Sequence, residues 1–493
     1  MPKTTGTSFQ VIDFVYEKTT SVACQTLTRH AITPIVTVGL PFRLISVAVL
    51  FASFAFVADV RASLNIGVSS SNYLGLGAAG RQDSYSALDL GLDTKTEGTV
   101  LDSRALVQAE IGFDDSSYRF VEFPEAYLGT SKAFYEPVRM SLGRKLVSWS
   151  ALDDTWGAGA FQPRFRWDYL RPQQVGLLGL YEEVAAGPVR ITAFYSPIFI
   201  PDRGAPLDFA DGRLHSVSPW AVNPPYQTDI QGKPVDVRYD AQIPPIKDIV
   251  RQNTFAGQIA VGEALGPWAA ISYAHKPMNE LLMSYEAHYS TAAGDAQATI
   301  YPRVAYHRVA SADVGFRQTR MAGSLSGVAD LPMDTVPDVP RRVSQQVRNM
   351  FLVSPTYTLY PFADPRAGSV SVSYLRVFGK DPPDVGNSTD GFTLADGVSS
   401  EFDSRYPFKS AFLLGTQFPT WRKLTADMRL LVDLQNPGTI VSWNFAYAAD
   451  RDWRLFLATD VLSSFTGDSA DGTDFIHRYR ENDRVTGGVT YVF

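Results

Sequence analysis

Apolar and polar residues alternate with a period of two along most of the chain after Ala62, up to the last residue. In the segment LTADMRLLVDL, every second residue from Leu424 to Leu434 is apolar, and most intervening residues are polar or charged. A period of two is typical of a strand with one apolar and one wet face. The segments IVSWNFAY and WRLFLATDV follow with the same period and short polar connections, which predicts an antiparallel meander.

The final decamer, RVTGGVTYVF, keeps this period and ends on an aromatic residue. Val485, Val489, Tyr491 and Phe493 fall on one face of the predicted strand. A C-terminal strand of this kind resembles the assembly signal of Gram-negative outer-membrane β-barrels, whose last strand closes the barrel. The resemblance implies an all-β, transmembrane, antiparallel up-and-down barrel of the porin-like family in the bacterial outer membrane. It also implies that the barrel-assembly machinery reads Phe493.

Composition excludes several other classes of protein. The net charge of -7 and the pI near 5.5 give no cationic excess for binding nucleic acid. A single cysteine, Cys24, excludes a disulfide scaffold and a cysteine-built metal site, and the six histidines have no zinc spacing. No nucleophile elbow or phosphate-binding loop is present in the sequence. We therefore expect no enzyme activity, no metal and no cofactor.

The N-terminal region carries the only long apolar run, from Leu44 to Ala58. It is preceded by Arg43 and is short for a membrane-spanning helix, so we interpret it as the core of a signal peptide that is cleaved after Ala62. Residues 1–62 are then an N-terminal extension and signal peptide that is removed, and 63–493 form the barrel. A buried helix or a retained anchor is the alternative.

The alternating segments predict twenty strands, or eighteen if one hairpin is removed. The strands at 280–290 and 298–307 belong to the least certain part of this count. The long connections all follow odd-numbered strands, which places them on one side of the membrane, the outer side in bacterial barrels. These predicted extracellular loops are 150–175, 197–252, 331–348, 380–407 and 463–483.

The inward faces of the predicted strands supply polar residues to an aqueous lumen. Charged residues on these faces would set the field that a solute meets, or would pair with one another and only hydrate the lumen. The arginines that we predict to line the pore are Arg144, Arg190, Arg303, Arg317, Arg429 and Arg454.

The segment 197–252 is the most unusual connection, because it contains nine prolines and is too long for an idle loop. We predict that it is structured and folds inward as a constriction or caps the mouth. As in the porin family that the chain resembles, its aspartates would then face the arginines of the wall. The candidates are Asp208, Asp211, Asp229, Asp236 and Asp240. An outward loop that contacts lipopolysaccharide or another subunit is the alternative.

Two further stretches have distinctive composition. The segment from Gly143 to Tyr181 is dense in Trp, Arg and Asp, which predicts a packed, hydrogen-bonded loop; it resembles segments that pack near the narrowest point of porin-like barrels. The stretch TGDSADGTD is a weak candidate for a calcium loop, since its spacing departs from the EF-hand pattern.

These observations favour an outer-membrane, porin-like ion channel that admits small hydrophilic solutes by passive diffusion. The alternatives are a transporter of hydrophobic or aromatic compounds, an outer-membrane hydrolase, and a non-conducting structural or adhesive barrel. The expected partners are outer-membrane lipid, lipopolysaccharide, small solutes and further copies of the chain, as a trimer or another homo-oligomer.

Overall fold

The alternating segments pair into one eighteen-stranded sheet that closes on itself. The computed structural model describes residues 58–75, 83–114, 118–204, 208–216, 218–221, 223–224, 226–230, 232–290, 294–333, 342–362, 367–379, 405–421, 423–465 and 474–493. The barrel strands are β1 (Ala58–Tyr73), β2 (Ser84–Gly98), β3 (Leu101–Gly112), β4 (Arg119–Thr130), β5 (Val138–Lys145), β8 (Leu177–Ala186), β9 (Val189–Ser196), β15 (Thr254–Gly262), β16 (Gly266–Pro277), β19 (Tyr306–Arg317), β20 (Met321–Pro332), β22 (Met350–Leu359), β23 (Ser369–Phe378), β24 (Ser410–Trp421), β25 (Leu424–Asp433), β26 (Gly438–Ala448), β27 (Trp453–Ser464) and β28 (Arg484–Val492).

Each barrel strand pairs antiparallel with the next one along the barrel, and β28 pairs with β1 to close it. The C-terminal decamer therefore forms the closing strand, as its resemblance to the barrel assembly signal implies. Gly488 sits at this seam, where a Cβ would lie 2.6 Å from the Val68 carbonyl oxygen. Because a backbone oxygen cannot move aside as a flexible side chain can, the seam requires glycine at this position.

The strands β17 (Leu282–Ser290) and β18 (Asp295–Arg303) match the predicted pair 280–290 and 298–307, but they lie outside the barrel. They belong to a separate sheet, which we call the second sheet. Its other strands are β13 (Gln227–Ile230), β14 (Lys233–Ala241) and β21 (Arg342–Ser344). A sheet with one buried face has the same period of two as a barrel wall, so periodicity alone cannot separate the two cases.

The remaining elements are short and lie in the long connections. They are the strands β6 (Arg164–Arg166), β7 (Gln173–Gln174), β10 (Arg203–Gly204), β11 (Asp208–Ala210) and β12 (Arg213–His215), and the helices α1 (Ala151–Trp156), α2 (Ile246–Val250) and α3 (Phe475–Arg478). Within the described ranges, no helix is long and apolar enough to cross a membrane.

The connections differ at the two ends of the barrel. At one end, the turn end, neighbouring strands are joined by short connections such as 99–100, 187–188 and 263–265. The connections 146–176, 197–253, 278–305 and 333–349 all leave from the other end, the loop end. The predicted loop 380–407 and the predicted calcium loop lie largely outside the described residues. Most of the predicted N-terminal extension and signal peptide also lies outside the described residues. Strand β1 begins at Ala58, before the predicted cleavage site.

The outer face of the barrel is apolar and exposed, as on Leu64, Val68, Ile271 and Leu325. Exposed aromatic residues are concentrated at the two rims of this belt. At the turn end they include Phe362, Trp421, Trp453 and Phe493, and at the loop end Phe113, Phe255, Phe351 and Phe378. An apolar band between two aromatic girdles is the surface of a barrel that spans a bilayer.

Candidate lumen constriction

The connection between β5 and β8, residues 146–176, folds into the lumen, and we call it the inner loop. Its first anchor is on β16 and β19. The carbonyl oxygen of Trp149 accepts hydrogen bonds from Ser272 Oγ at 2.6 Å and from Ser311 Oγ at 3.0 Å. Both serines are buried, on the strand face opposite the exposed Ile271 and Val314. The inner loop therefore contacts the lumen side of the wall.

Helix α1 of the inner loop packs against the lumen side of β19 and β20. Ser150 caps its N-terminus by accepting a hydrogen bond from the Leu152 N–H at 3.2 Å. The same Leu152 N–H lies 3.0 Å from Ser326 Oγ on β20, and the Ala151 N–H donates to Asp313 on β19. A wall carboxylate at the N-terminus of a helix is favourable, because backbone N–H groups point toward it.

At its C-terminal end, α1 reaches β22 and β23. The indole Nε1 of Trp156 lies 2.9 Å from Ser354 Oγ and 3.0 Å from Ser373 Oγ. The two serines also lie 2.9 Å apart and are buried. Gly157 then ends the helix in the left-handed conformation, with a φ of 58°.

An ion network then holds the inner loop against β26, β27 and β28. Arg171 makes two 2.8 Å hydrogen bonds to the carboxylate of Asp460 and one of 3.1 Å to Asn444. Arg484 donates to Asp460 at 2.7 Å and also to Asp168 of the inner loop. Asp460 and Arg484 are buried. A bidentate, buried arrangement of this kind fixes the loop far more strongly than an exposed ion pair would.

Aromatic contacts connect the inner loop to β3 and β4. Trp167 Nε1 donates to Glu110 at 3.0 Å, and its ring packs against Tyr118 and Phe120. Phe165 stacks on Trp167 with 6.1 Å between the ring centroids. The inner loop thus contacts the wall from β3 and β4 around to β28, which no loop outside the lumen could do.

Residues 202–203, at the start of the connection 197–253, fasten the inner loop to the wall. The carboxylate of Asp202 accepts from the Arg164 N–H at 2.7 Å and from Arg166 Nη2 at 2.6 Å. Burial alone would raise the pKa of Asp202, but Arg166 and Arg164 hold it below its usual value. Its neighbour Arg203 pairs with Glu122 on β4.

Trp220 brings a second part of this connection against the lumen face. Its ring is 5.4 Å from Tyr479 and 6.2 Å from Tyr169 of the inner loop, measured between centroids. It belongs to a buried cluster with residues of the barrel strands β24 to β27: Leu413, Leu431, Ile440 and Leu462. The later part of the connection, residues 227–241, forms β13 and β14 of the second sheet instead.

The predicted pore-lining arginines have different positions. Four of them are on barrel strands and pair with inward-facing residues of the neighbouring strand: Arg190, Arg317, Arg429 and Arg454. Arg144 is buried and donates to Glu122 at 2.7 Å. Arg303 instead lies on β18 of the second sheet and donates to the Gln345 carbonyl at 2.8 Å.

The predicted aspartates lie on the hairpins of the connection 197–253. Asp208 and Asp211 belong to the hairpin of β11 and β12, where Asp211 has a φ of 53°. Asp229 accepts from the Gly232 N–H at 2.7 Å, and Asp236 accepts from Gln227 at 2.9 Å. These contacts of Asp229 and Asp236 lie within the hairpin of β13 and β14 and do not involve wall arginines.

Sequence reasoning missed the residues that hold the inner loop most firmly, Asp202, Asp313, Asp460 and Arg484. Asp313 and Asp460 stand on the inward face of alternating strands, so the period of two could have flagged them. The arginines of the predicted hydrogen-bonded loop, Arg164, Arg166 and Arg171, form ion pairs with residues that lie outside this loop, namely Glu280, Asp202 and Asp460. Among the described residues, no group of three or more His, Cys, Asp or Glu could hold a metal ion.

A closed antiparallel barrel with an apolar coat, aromatic girdles and a polar lumen crossed by a loop defines an integral outer-membrane β-barrel of porin architecture. No protein-family model matches the sequence, and no curated protein matches it by sequence.

Several solved structures resemble the chain in fold. OccAB4 of Acinetobacter baumannii is 8% identical, with 89% of this chain and 98% of that chain covered and a TM-score of 0.46. OccAB3 of the same species is 10% identical, with 88% and 99% covered and a TM-score of 0.45. A BenF-like porin from Pseudomonas fluorescens Pf-5 is 9% identical, with 88% and 98% covered and a TM-score of 0.45. The fold assignment depends on the strand pairing and not on these likenesses.

Proposed function

We propose that the protein is a passive outer-membrane channel for small hydrophilic solutes, and that the inner loop forms its narrowest point. The observation that carries this proposal is the ring of contacts between the inner loop and wall strands from β3 to β28. A loop held across a lumen leaves a narrow passage lined by fixed charges, which is how channels select solutes. Residues 202–203 and Trp220 of the segment 197–252 brace this constriction.

The charges of the constriction favour polar solutes over apolar ones. Arg429 on β25 is, like Arg454 on β27, a wall arginine whose Nε has no hydrogen-bond partner among the described residues. It faces the same region as Arg171 and Asp460, next to Ser442 of the neighbouring strand. A solute with an anionic or hydroxyl group would find hydrogen-bond donors there.

A transporter of aromatic compounds is the second candidate function. The observation in its favour is the group of rings formed by Tyr85, Tyr118, Phe120, Phe165 and Trp167. Tyr118 and Phe165 are buried by their neighbours, so most ring faces are already covered. Uptake of an aromatic acid and of a sugar into proteoliposomes distinguishes the two functions, since only the second candidate predicts faster entry of the aromatic acid.

Single-channel recording in planar lipid bilayers tests the proposed function. Purified, folded protein should give stable, stepwise conductance. Absence of conductance from protein whose barrel is intact, as judged by its β-type circular dichroism and heat-dependent gel mobility, would contradict a channel. It would instead support a structural or adhesive barrel.

The selectivity of the channel should depend on pH through Asp154 of the inner loop. Burial raises the pKa of Asp154 to about 7, and the nearby carboxylates of Asp153 and Asp313 act in the same direction. The group is neutral below this pH and negative above it, so preference for cations should increase between pH 6 and 8. Reversal potentials in a salt gradient measure this change, and Asp154→Asn should remove it. An equal change in the variant would exclude Asp154 as the cause.

We also propose that outer-membrane lipid and lipopolysaccharide surround the apolar belt, and that the assembly machinery contacts Phe493. The Phe493 ring is exposed and lies 4.6 Å from the Tyr491 ring at the closing seam. A trimer is the assembly expected by analogy with general porins. Chemical cross-linking of the detergent-solubilised protein measures the assembly, and only monomer at all protein concentrations would contradict a trimer.

A further inference from the structure

A cluster of three buried polar side chains lies at the loop end of the lumen wall. Lys276 on β16, His307 on β19 and Asp330 on β20 are each at most 3% exposed. Each lies on the same strand face as a serine that bonds to the inner loop, four positions away along its strand: Ser272, Ser311 and Ser326 respectively. The three side chains therefore point into the lumen, and we call them the polar cluster.

The hydrogen bonds of the polar cluster define where its protons are. Lys276 Nζ donates to the Pro277 carbonyl at 2.8 Å and to Asn279 Oδ1 at 2.5 Å, and its third acceptor is His307 Nε2 at 3.4 Å. An ammonium group has three donors and no acceptor, so His307 Nε2 carries no hydrogen. The hydrogen of the neutral ring is then on Nδ1, which lies 2.7 Å from Asp330 Oδ1. His307 is therefore neutral while Lys276 is bonded to it.

Asn279 connects the polar cluster to the inner loop. Its Nδ2 donates to the carbonyl oxygens of Gly159 at 2.6 Å and Gln162 at 3.0 Å. Its backbone carbonyl accepts from the Asp202 N–H at 2.7 Å. An amide side chain has one acceptor end and one donor end, so the bond from Lys276 to Oδ1 fixes the direction in which Nδ2 points. Lys276 therefore positions the turn 159–162 of the inner loop through Asn279.

Asp330 connects the polar cluster to the segment before β24. Its Oδ2 accepts from Arg405 Nη1 at 2.6 Å and from the Tyr406 hydroxyl at 2.8 Å. Arg405 also donates to the Arg348 carbonyl. Asp330 therefore has a cationic partner before His307 gains a proton, and this side of the polar cluster stays in place when the ring is charged.

A proton on His307 would add a positive charge where Lys276 already supplies one. Nε2 would then carry a hydrogen and could no longer accept from Lys276. Two cations at this 3.4 Å separation repel each other strongly away from bulk water. The charged groups that face His307 are Lys276, Asp330 and Arg405, and the carboxylates that act on Lys276 from the loops are Asp153 and Asp202.

We propose that His307 is a positioning residue of the constriction and makes it sensitive to acid. Protonation of the ring displaces Lys276 from Asn279, and the turn 159–162 of the inner loop loses its hold on the wall. The contacts of α1 and of Arg171 remain, so the inner loop is loosened on one side and stays in the lumen.

Single-channel recording at about pH 7.5 and about pH 5 tests this inference, because histidine ordinarily titrates between these values. This readout depends on the proposed channel function. We expect transitions between conductance levels to be severalfold more frequent at the lower pH, since movement of the inner loop changes the width of the lumen. H307Q should show the same frequency at both pH values. N279D should show frequent transitions at both, because a carboxylate cannot donate to the carbonyls of Gly159 and Gln162.

H275Q is the matched control, because His275 is also on β16 but belongs to its outward face, where its ring stacks on Tyr306. It should retain the acid response. D154N should retain it as well, since Asp154 acts on ion selectivity. An unmodified channel without an acid response, or an equal response in H307Q, would overturn the proposal.

Hydrogen–deuterium exchange gives a readout that needs no conducting channel. After correction for the effect of pH on intrinsic exchange, residues 158–163 should exchange faster at the lower pH in the unmodified protein and equally at both in H307Q. Residues 168–171, which the Arg171 network holds, should exchange alike at both. Equal exchange of 158–163 at both pH values in the unmodified protein would overturn the proposal even if the channel conducts. Acid-dependent exchange in a protein without conductance would support the polar cluster and contradict the channel.

Discussion

Replacing residues 148–174 of the inner loop with a short Gly-Ser linker should raise the single-channel conductance severalfold. Lys145 and Leu177 are paired neighbours on β5 and β8, so a short linker can join the two strands without opening the barrel. The shortened protein lacks the α1 contacts with β19, β20, β22 and β23 as well as the Arg171 network. The lumen then loses the chain segment that narrows it.

The matched control shortens the hairpin of β17 and β18, which belongs to the second sheet and not to the inner loop. Tyr285 and Ile300 are paired in the hairpin of β17 and β18, so residues 286–299 can be replaced by a tight turn. This variant removes part of the second sheet and should conduct like the unmodified protein. An unchanged conductance after shortening the inner loop, with the barrel intact, would show that the loop does not limit the current.

Substitution of Asp460 by asparagine should destabilise the protein strongly and shift its selectivity toward anions. Asp460 is 1% exposed and accepts hydrogen bonds from both Arg171 and Arg484. Removing one partner of a buried ion pair costs about 3–5 kcal/mol, because the remaining charge stays buried without compensation. Denaturant titration in lipid vesicles, followed by tryptophan fluorescence, measures the loss of unfolding free energy, and reversal potentials measure the selectivity.

Asp452→Asn is the control for this substitution. Asp452 is exposed in the turn before β27, and its loss should change the unfolding free energy by less than about 0.5 kcal/mol. If Asp460→Asn unfolded at the same denaturant concentration as Asp452→Asn and kept the original selectivity, the ion network would not hold the inner loop.

The barrel could be predicted from the sequence because the residue pattern that specifies its strands is local. Each wall strand must place apolar residues toward lipid at every second position, so the period of two is visible within ten residues, as in β25 and β28. The same local signal misassigned β17 and β18 to the barrel, because their buried face packs within the second sheet and not against lipid.

The lumen contacts could not be predicted, because their partners are distant in sequence. Arg171 and Asp460 are 289 positions apart, and Trp156 and Ser373 are 217 apart. Nothing local to Arg171 identifies which of the many inward carboxylates it will meet. The composition of 143–181 predicted a packed loop. The proline content of 197–252 led to the prediction that this other segment forms the constriction. Residues 202–204 and Trp220 of that segment contact the inner loop.

A disulfide between the inner loop and the wall tests whether the inner loop lies inside the barrel. Ser150 Oγ on the inner loop lies 3.4 Å from Ser326 Oγ on β20, so cysteines at these positions are close enough to bond. In a background with Cys24 replaced by serine, the double variant S150C/S326C should form an intramolecular disulfide, detected as a cross-linked peptide by mass spectrometry. Two free, reagent-accessible thiols under the same oxidising conditions would contradict the placement of the loop in the lumen.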